Sequence, residues 1–211
     1  MTSLWGPLGW MTLHSASMLY PENPSHTDKE ILKRFMDAFR ETLTCIHCYH
    51  HFKILFQNYT SLHPDWADSR FNLFLFIARA HNTVNNRLNK PKPATVQACI
   101  DTFRSNTVVT SAFVYRAKYI EYLSRNWSRE MSGEGMMKLA HVRELQRINN
   151  EYWNHKTEYS TDSFQMGANV SDPVDDNPAM RHIMRPNGTL AEISSKPFSI
   201  GLKGGRFQLR R

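Results

Sequence analysis

From Leu8 to about Ser105 apolar residues recur three and four positions apart, and prolines cut the run into helix-length pieces. Strands need a two-residue alternation, and almost none of this stretch shows one, so the pattern confines the chain to helix packed on helix. Leu8 to Tyr20 is the first piece, stopped by Pro21, Asn23 and Pro24. Thr27 or Asp28 can cap a second that runs to about Thr44 and aligns Ile31, Phe35, Ala38 and Phe39. A third begins at Cys45 to Cys48 and carries Phe52, Leu55 and Phe56. After Pro64, Asp65 can cap a fourth from Trp66 to about Leu88, which Pro91 and Pro93 end. Thr95 to Ser105 reads as a short fifth helix, and the expectation is a compact all-α bundle over residues 1–106.

Residues 107–160 read as a helical extension. Val109, Ala112, Phe113, Ile120, Leu123 and Trp127 form one stripe, broken at Gly133 and Gly135 and resumed by Met137, Leu145, Ile148 and Tyr152. Such a pair packs on the bundle or on a partner. From Thr161 to Arg211 the chain is rich in Asp, Asn, Ser, Pro and Gly without periodicity, which predicts irregular structure ending in a flexible basic tail. That tail holds Lys196, Lys203, Arg206, Arg210 and Arg211 and no acid. The net charge of +7 suits an acidic partner but does not establish nucleic-acid binding. No signal-like start occurs, and Phe71 to Ala80 falls short of the ~20 residues that span a bilayer. The expectation is a soluble intracellular protein with no membrane partner.

Only 3 cysteines occur, too few for a disulfide scaffold. Two of them form Cys45-Ile46-His47-Cys48, whose spacing lets the thiols close a small ring at a helix start. The partial positive charge of a helix N-terminus stabilises a thiolate there. A zinc site is the alternative, with His47, His50, His51 and His63 nearby. Zinc needs four ligands, however, and no second pair follows at finger spacing. The redox reading is preferred, and it requires an electron acceptor. No G-x-G-x-x-G or P-loop occurs. Instead Trp5-Gly6-Pro7-Leu8-Gly9-Trp10 leads into Leu13-His14, so Trp10 and His14 share a helix face that suits a flat ring. Ordinary core packing is the alternative, and taken singly it is the commoner role of tryptophans on helices. Farther on, His81, Val84, Asn85 and Leu88 fall at i, i+3, i+4 and i+7, with Asn82 adjacent and Lys90 available for a phosphate. Buried imidazole and carboxamide groups need polar partners. An exposed Asn-rich helix end is the alternative.

In order, W-G-x-x-x-W-x-x-L-H, C-x-x-C and H-N-x-V-N-x-x-L-x-K-P resemble the Erv/ALR family of FAD-linked sulfhydryl oxidases over Trp5 to Ser105. The resemblance implies a four-helix bundle with a short fifth helix, usually dimeric, holding FAD non-covalently at one end. It implies that Cys48 faces the flavin and that Cys45 exchanges with an incoming dithiol. Trp5, Trp10, His14, His81, Asn82, Asn85 and Lys90 match FAD-contacting positions, with Gly6, Val84 and Leu88 from the same motifs, and Tyr20 where a Tyr-Pro closes the first helix. Arg87 and Lys92 are further candidates for the phosphates. Electrons would pass from thiols through the pair and FAD to dioxygen, releasing hydrogen peroxide. The donor is a thiol-containing substrate protein or a separate shuttle, because no second cysteine pair exists in the chain. Cys99 matches one half of a family disulfide whose other half is expected near Arg116, where there is no cysteine, so Cys99 is expected to be a buried free thiol. Short forms of this kind resemble those of large DNA viruses, which implies host cytoplasm and the virion. Two rival readings are a zinc-stabilised helical interaction module and a virion structural protein with a vestigial oxidase domain. On the oxidase reading, a chain cut before Thr161 is expected to keep its flavin.

Overall fold

A computed structural model describes residues 2–130, 132–171, 202–203 and 206–207, and among them the chain forms seven α-helices. Capping chemistry fixes most of their boundaries. The first helix, α1 (Thr2–Leu19), starts before Leu8 and contains Pro7. Ser25, rather than Thr27 or Asp28, caps α2 (His26–Glu41). Its hydroxyl accepts the Asp28 N–H at 3.2 Å while the Asp28 carboxylate accepts the Ser25 N–H at 2.9 Å, a reciprocal capping box. Cys45 caps α3 (Ile46–Leu62). α4 (Arg70–Arg87) begins later than expected because Ser69 caps it; Asp65 instead accepts from the Asn72 carboxamide at 3.0 Å. Thr95 caps α5 (Val96–Thr107).

The extension forms α6 (Ala112–Trp127) and α7 (Gly133–Glu151), followed by a 3₁₀ turn at Trp153–His155. Gly133 and Gly135 open α7 instead of separating it from its stripe: Ser132 caps the Gly135 N–H at 3.1 Å, and a β-carbon on Gly135 would collide with the Glu130 carbonyl. α6 lies along α1 and α7 along α2, so the extension packs on the bundle. A single apolar cluster joins Leu13, Phe35, Phe39, Leu55 and Phe76 to Tyr119, Leu123, Leu145, Ile148 and Trp153. Fully burying side chains of this size is worth about 1.5–3 kcal/mol each, so both halves depend on one core. Where α1 passes closest, a β-carbon on Gly9 would sit 3.4 Å from the rings of Phe39 and Tyr119. Arg116, near which a cysteine partner for Cys99 was expected, is buried and donates to Ser15 Oγ, to Asn149 Oδ1 at 2.9 Å and to Asn154 Oδ1 at 3.1 Å. A non-covalent tie thus joins α6 to α1 and to the end of α7.

Irregular structure begins at Lys156, inside the stretch read as helical extension, and residues 160–171 pack as a strap across α4 and α5. Phe164 and Val170 are buried in a second cluster with Phe74, Ala78, Val96 and Phe103. The carbonyls of Ala168 and Met166 accept the Val96 and Gln97 N–H groups at 3.1 and 3.0 Å, satisfying donors that a helix N-terminus leaves open. Asn82 Nδ2 donates to the carbonyls of Pro93 and Val170 at 2.8 and 2.7 Å. All seven helices belong to the first of two compact units, Met1–Asp175. Within the second, Leu202–Lys203 and Arg206–Phe207 pair as two-residue antiparallel strands, and the rest of the expected basic tail lies outside the described residues. Among the described residues no helix is long and apolar enough to cross a membrane.

Candidate active site

Cys45 adopts the extended backbone of an N-cap (φ −118°, ψ 114°), and its sulfur accepts the Cys48 N–H at 3.3 Å. That geometry folds the two residues together at the first turn of α3, with Cα atoms 5.1 Å apart and the sulfurs joined as a disulfide. Both cysteines are half-buried, while Ile46 and His47 between them are exposed. Once reduced, Cys48 lies where the helix N-terminus favours a thiolate. The disulfide engages both sulfurs, and among the described residues no group of three His, Cys, Asp or Glu is arranged to hold a metal, so the zinc reading gains no support.

A cavity of about 350 Å³ is lined by α1, α4 and α5, and Cys45 and Cys48 are not among its lining residues. Besides Ala98, α5 contributes the set Cys99, Thr102, Phe103 and Asn106, and α4 contributes Ala78, His81, Asn82 and Asn85. Each set falls at i, i+3, i+4 and i+7, a single helix face. On α4 this is not the expected His81–Val84–Asn85–Leu88 face: His81 and Asn85 belong to both stripes, but Ala78 and Asn82 complete the one that reaches the cavity. Leu88, 50% exposed, ends the helix. Asn89 then takes a left-handed φ of 53°, and the Lys90 and Asn89 N–H groups return to the Asn85 and Asn86 carbonyls at 2.8 and 3.1 Å. This Schellman ending leaves Lys90 exposed. Lys92 does line the cavity, with its ammonium on Asn86 Oδ1 at 2.7 Å, while Arg87 occupies the last turn of α4.

Trp10 stacks on His81 at 4.3 Å between ring centroids, with planes 9° apart, and His81 Nδ1 lies 3.1 Å from His14 Nε2. Burial lowers the pKa of His14 to about 4. Burial, helped by His14 and Lys90, lowers that of His81 to about 3. Both imidazoles are therefore neutral near pH 7 and share one proton in their hydrogen bond. His14 Nδ1 is buried with no hydrogen-bond partner among the protein groups, and the polar edge of a ligand would satisfy it. Aromatic and apolar walls around a neutral imidazole pair and the Asn85 carboxamide fit a flat ring with polar edges, as a flavin has.

The unfolded chain takes up a proton at the ordinary histidine pKa of 6.5, whereas folded His14 does so only at about 4. Stability is therefore fully present above pH 6.5 and falls as the pH drops toward 4. The loss is about 3 kcal/mol from His14 alone. Denaturant unfolding across that window measures it, and a flat profile would exclude a neutral buried His14.

Of the other expected site residues, Trp5 packs against the main core and a β-carbon on Gly6 would meet nothing. Tyr20 is fully buried and donates to the Ala67 carbonyl at 3.0 Å. Neither these three nor Trp10, Val84, Leu88 and Lys90 line the cavity, and Trp10 bears on it through the His81 ring it stacks on. Asn82 lines it, but its amide group is committed to fastening the strap. Sequence reasoning missed Met11 and the α5 face. The signal was available, since Cys99, Thr102, Phe103 and Asn106 repeat the spacing sought on α4. Cys99 is the buried free thiol expected, and burial raises its pKa to about 11.

A sequence model of the Erv1/Alr family matches residues 8–106. The chain is 36% identical to an FAD-linked sulfhydryl oxidase of African swine fever virus (isolate Warthog/Namibia/Wart80/1980) over 87 residues, covering 41% of this chain and 69% of the relative. It is 36% identical to protein 096R of Invertebrate iridescent virus 3 over 92 residues, 43% of this chain and 60% of that protein. With the mitochondrial FAD-linked sulfhydryl oxidase ERV1 of Saccharomyces cerevisiae it shares 32% identity over 87 residues, 41% of this chain and 44% of the relative. The chain thus spans less than two thirds of the length of the latter two relatives. No solved structure matches it.

Proposed function

Because the chain belongs to the Erv1/Alr family, we propose that it is an FAD-linked sulfhydryl oxidase that forms disulfides in protein thiols. The observation that carries this reading is the disulfide between Cys45 and Cys48 at the first turn of α3. An incoming thiolate attacks the Cys45 sulfur, forming a mixed disulfide and releasing Cys48 as a thiolate at the helix N-terminus. The second substrate thiol then resolves the mixed disulfide, so the substrate leaves oxidised and the pair is left as a dithiol. His14, His81, Asn85 and Trp10 would hold the flavin, with His14 Nδ1 as an open hydrogen-bonding position. FAD, when bound, supplies the two-electron acceptor and the route to dioxygen, with hydrogen peroxide as product. The neutral imidazoles can carry a hydrogen bond there without placing a buried charge beside the ring. The proposal includes a thiol-bearing substrate or shuttle protein and, from the family likeness, assembly as a homodimer.

The test is direct. The purified full chain is expected to be yellow, with a flavin spectrum, and to consume one dioxygen and release one peroxide per dithiothreitol oxidised. Flavin without turnover would favour a vestigial domain, and a colourless zinc-loaded protein would favour the interaction module.

A further inference from the structure

The segment carrying the redox pair is gripped by helices outside the family match, which ends at residue 106. Trp127 of α6 donates its indole N–H to the carbonyl of Thr42, which is fully buried, at 3.0 Å. Tyr122, also on α6, has its hydroxyl 3.5 Å from Thr44 Oγ1, and Thr44 directly precedes Cys45. On the other flank Tyr49, which follows Cys48, donates to the Glu41 carboxylate at 3.3 Å. Lys138 of α7 reaches the same carboxylate at 3.5 Å, and its ammonium stands 5.0 Å from the Tyr49 ring centroid and 6.0 Å from that of Trp127. The Lys138 side chain is only 14% exposed, so this cation is largely shielded from solvent.

From these contacts we propose that Trp127, Tyr122 and Lys138 are positioning residues: through the Thr42 carbonyl and the side chains of Thr44, Glu41 and Tyr49 they tie down the residues flanking Cys45 and Cys48 so that the two sulfurs meet. The inference rests on the oxidase reading only in taking Cys45 and Cys48 as the working pair. Ring closure depends on the effective concentration of one sulfur at the other, and fixing both flanks raises it without any contact to sulfur. With cyclic oxidised dithiothreitol as reagent the two thiols lose two electrons and two protons and form the S–S bond. The reagent's own S–S bond is reduced to its dithiol. The grip therefore stabilises the closed ring relative to the open dithiol. It also gives the extension a role beyond burying the outer faces of α1 and α2.

The experiment equilibrates the full chain without oxygen in mixtures of reduced and oxidised dithiothreitol, followed by acid quench, alkylation and peptide mapping, which separates Cys45 and Cys48 from Cys99. Trp127→Phe, which keeps a ring and loses the donor, and Lys138→Met are each expected to lower the closure constant about three- to tenfold. For a two-electron couple that is a shift of roughly 15–30 mV toward easier reduction. Lys138→Arg should restore it. Helical circular dichroism establishes that each variant is folded. If Trp127→Phe fails to fold, Tyr122→Phe, on a half-buried side chain, takes its place. Closure constants equal to the parent's in two folded variants would overturn the proposal. The measurement uses neither flavin nor oxygen. A failed oxidase reading would appear separately, as a colourless protein.

Discussion

A Cys48→Ser chain is expected to lose dithiothreitol-dependent oxygen consumption while keeping its flavin. The drop should be on the order of 10³-fold or more, the scale found when a nucleophile is removed from a site that otherwise stays intact. Without Cys48 there is no disulfide for an incoming thiolate to attack, so exchange cannot begin. A serine hydroxyl neither ionises near neutral pH nor exchanges with a disulfide. Flavin retention follows from position, because Cys48 is not among the residues lining the cavity. The fold should survive as well. Closing so short a loop is worth about 2 kcal/mol in the chain-entropy treatment, and the Cys48 N–H can still be accepted by the Cys45 sulfur that caps α3. An oxygen electrode and a visible spectrum decide the matter. Oxygen uptake near the parent rate would remove Cys48 from the reaction, and a colourless but folded variant would place it in the flavin site.

The helices were legible because their apolar stripes and stop signals are local. Caps were less so: Ser25 and Asp28 form a box only when both partners are considered, and Ser69 competes with Asp65 for one helix start. The α4 stripe that lines the cavity differs from the expected one for a geometric reason. His81 and Asn85 belong to two overlapping stripes, and only packing against α1 and α5 selects the one containing Ala78 and Asn82. The Cys-x-x-Cys disulfide was legible because the N-cap geometry that closes it lies within four consecutive residues. Long-range pairings left no such trace. Nothing local in Trp127 or Lys138 points to Thr42 or Glu41, far away in sequence. The strap was hidden by composition, since a polar stretch with two apolar anchors lacks periodicity whether it is packed or free.

That strap reverses the expectation for a shortened chain. Ending the protein at Ser160 removes Phe164 and Val170, which are 5% and 0% exposed, at about 1.5–3 kcal/mol each. It also strips the acceptors from the Val96 and Gln97 N–H groups at the start of α5 and one of the two acceptors of Asn82 Nδ2, adding about 0.5–1.5 kcal/mol per lost bond. Several kcal/mol is a large part of the 5–15 kcal/mol that usually separates folded from unfolded chains. The damage falls on the cavity, because Ala78, Cys99 and Phe103 belong to the same cluster as Phe164 and Val170 and line its wall. The expected result is a chain that purifies with little flavin and unfolds at least about 3 kcal/mol more easily. A chain ended after Ser171 keeps all of these contacts and should match the parent in both respects. Phe164→Ala in the full chain provides the same test without truncation, at about 3–5 kcal/mol. Flavin content per chain and denaturant midpoints read the outcome. Full flavin and an unchanged midpoint in the chain ending at Ser160 would show that α4 and α5 form the cavity without the strap.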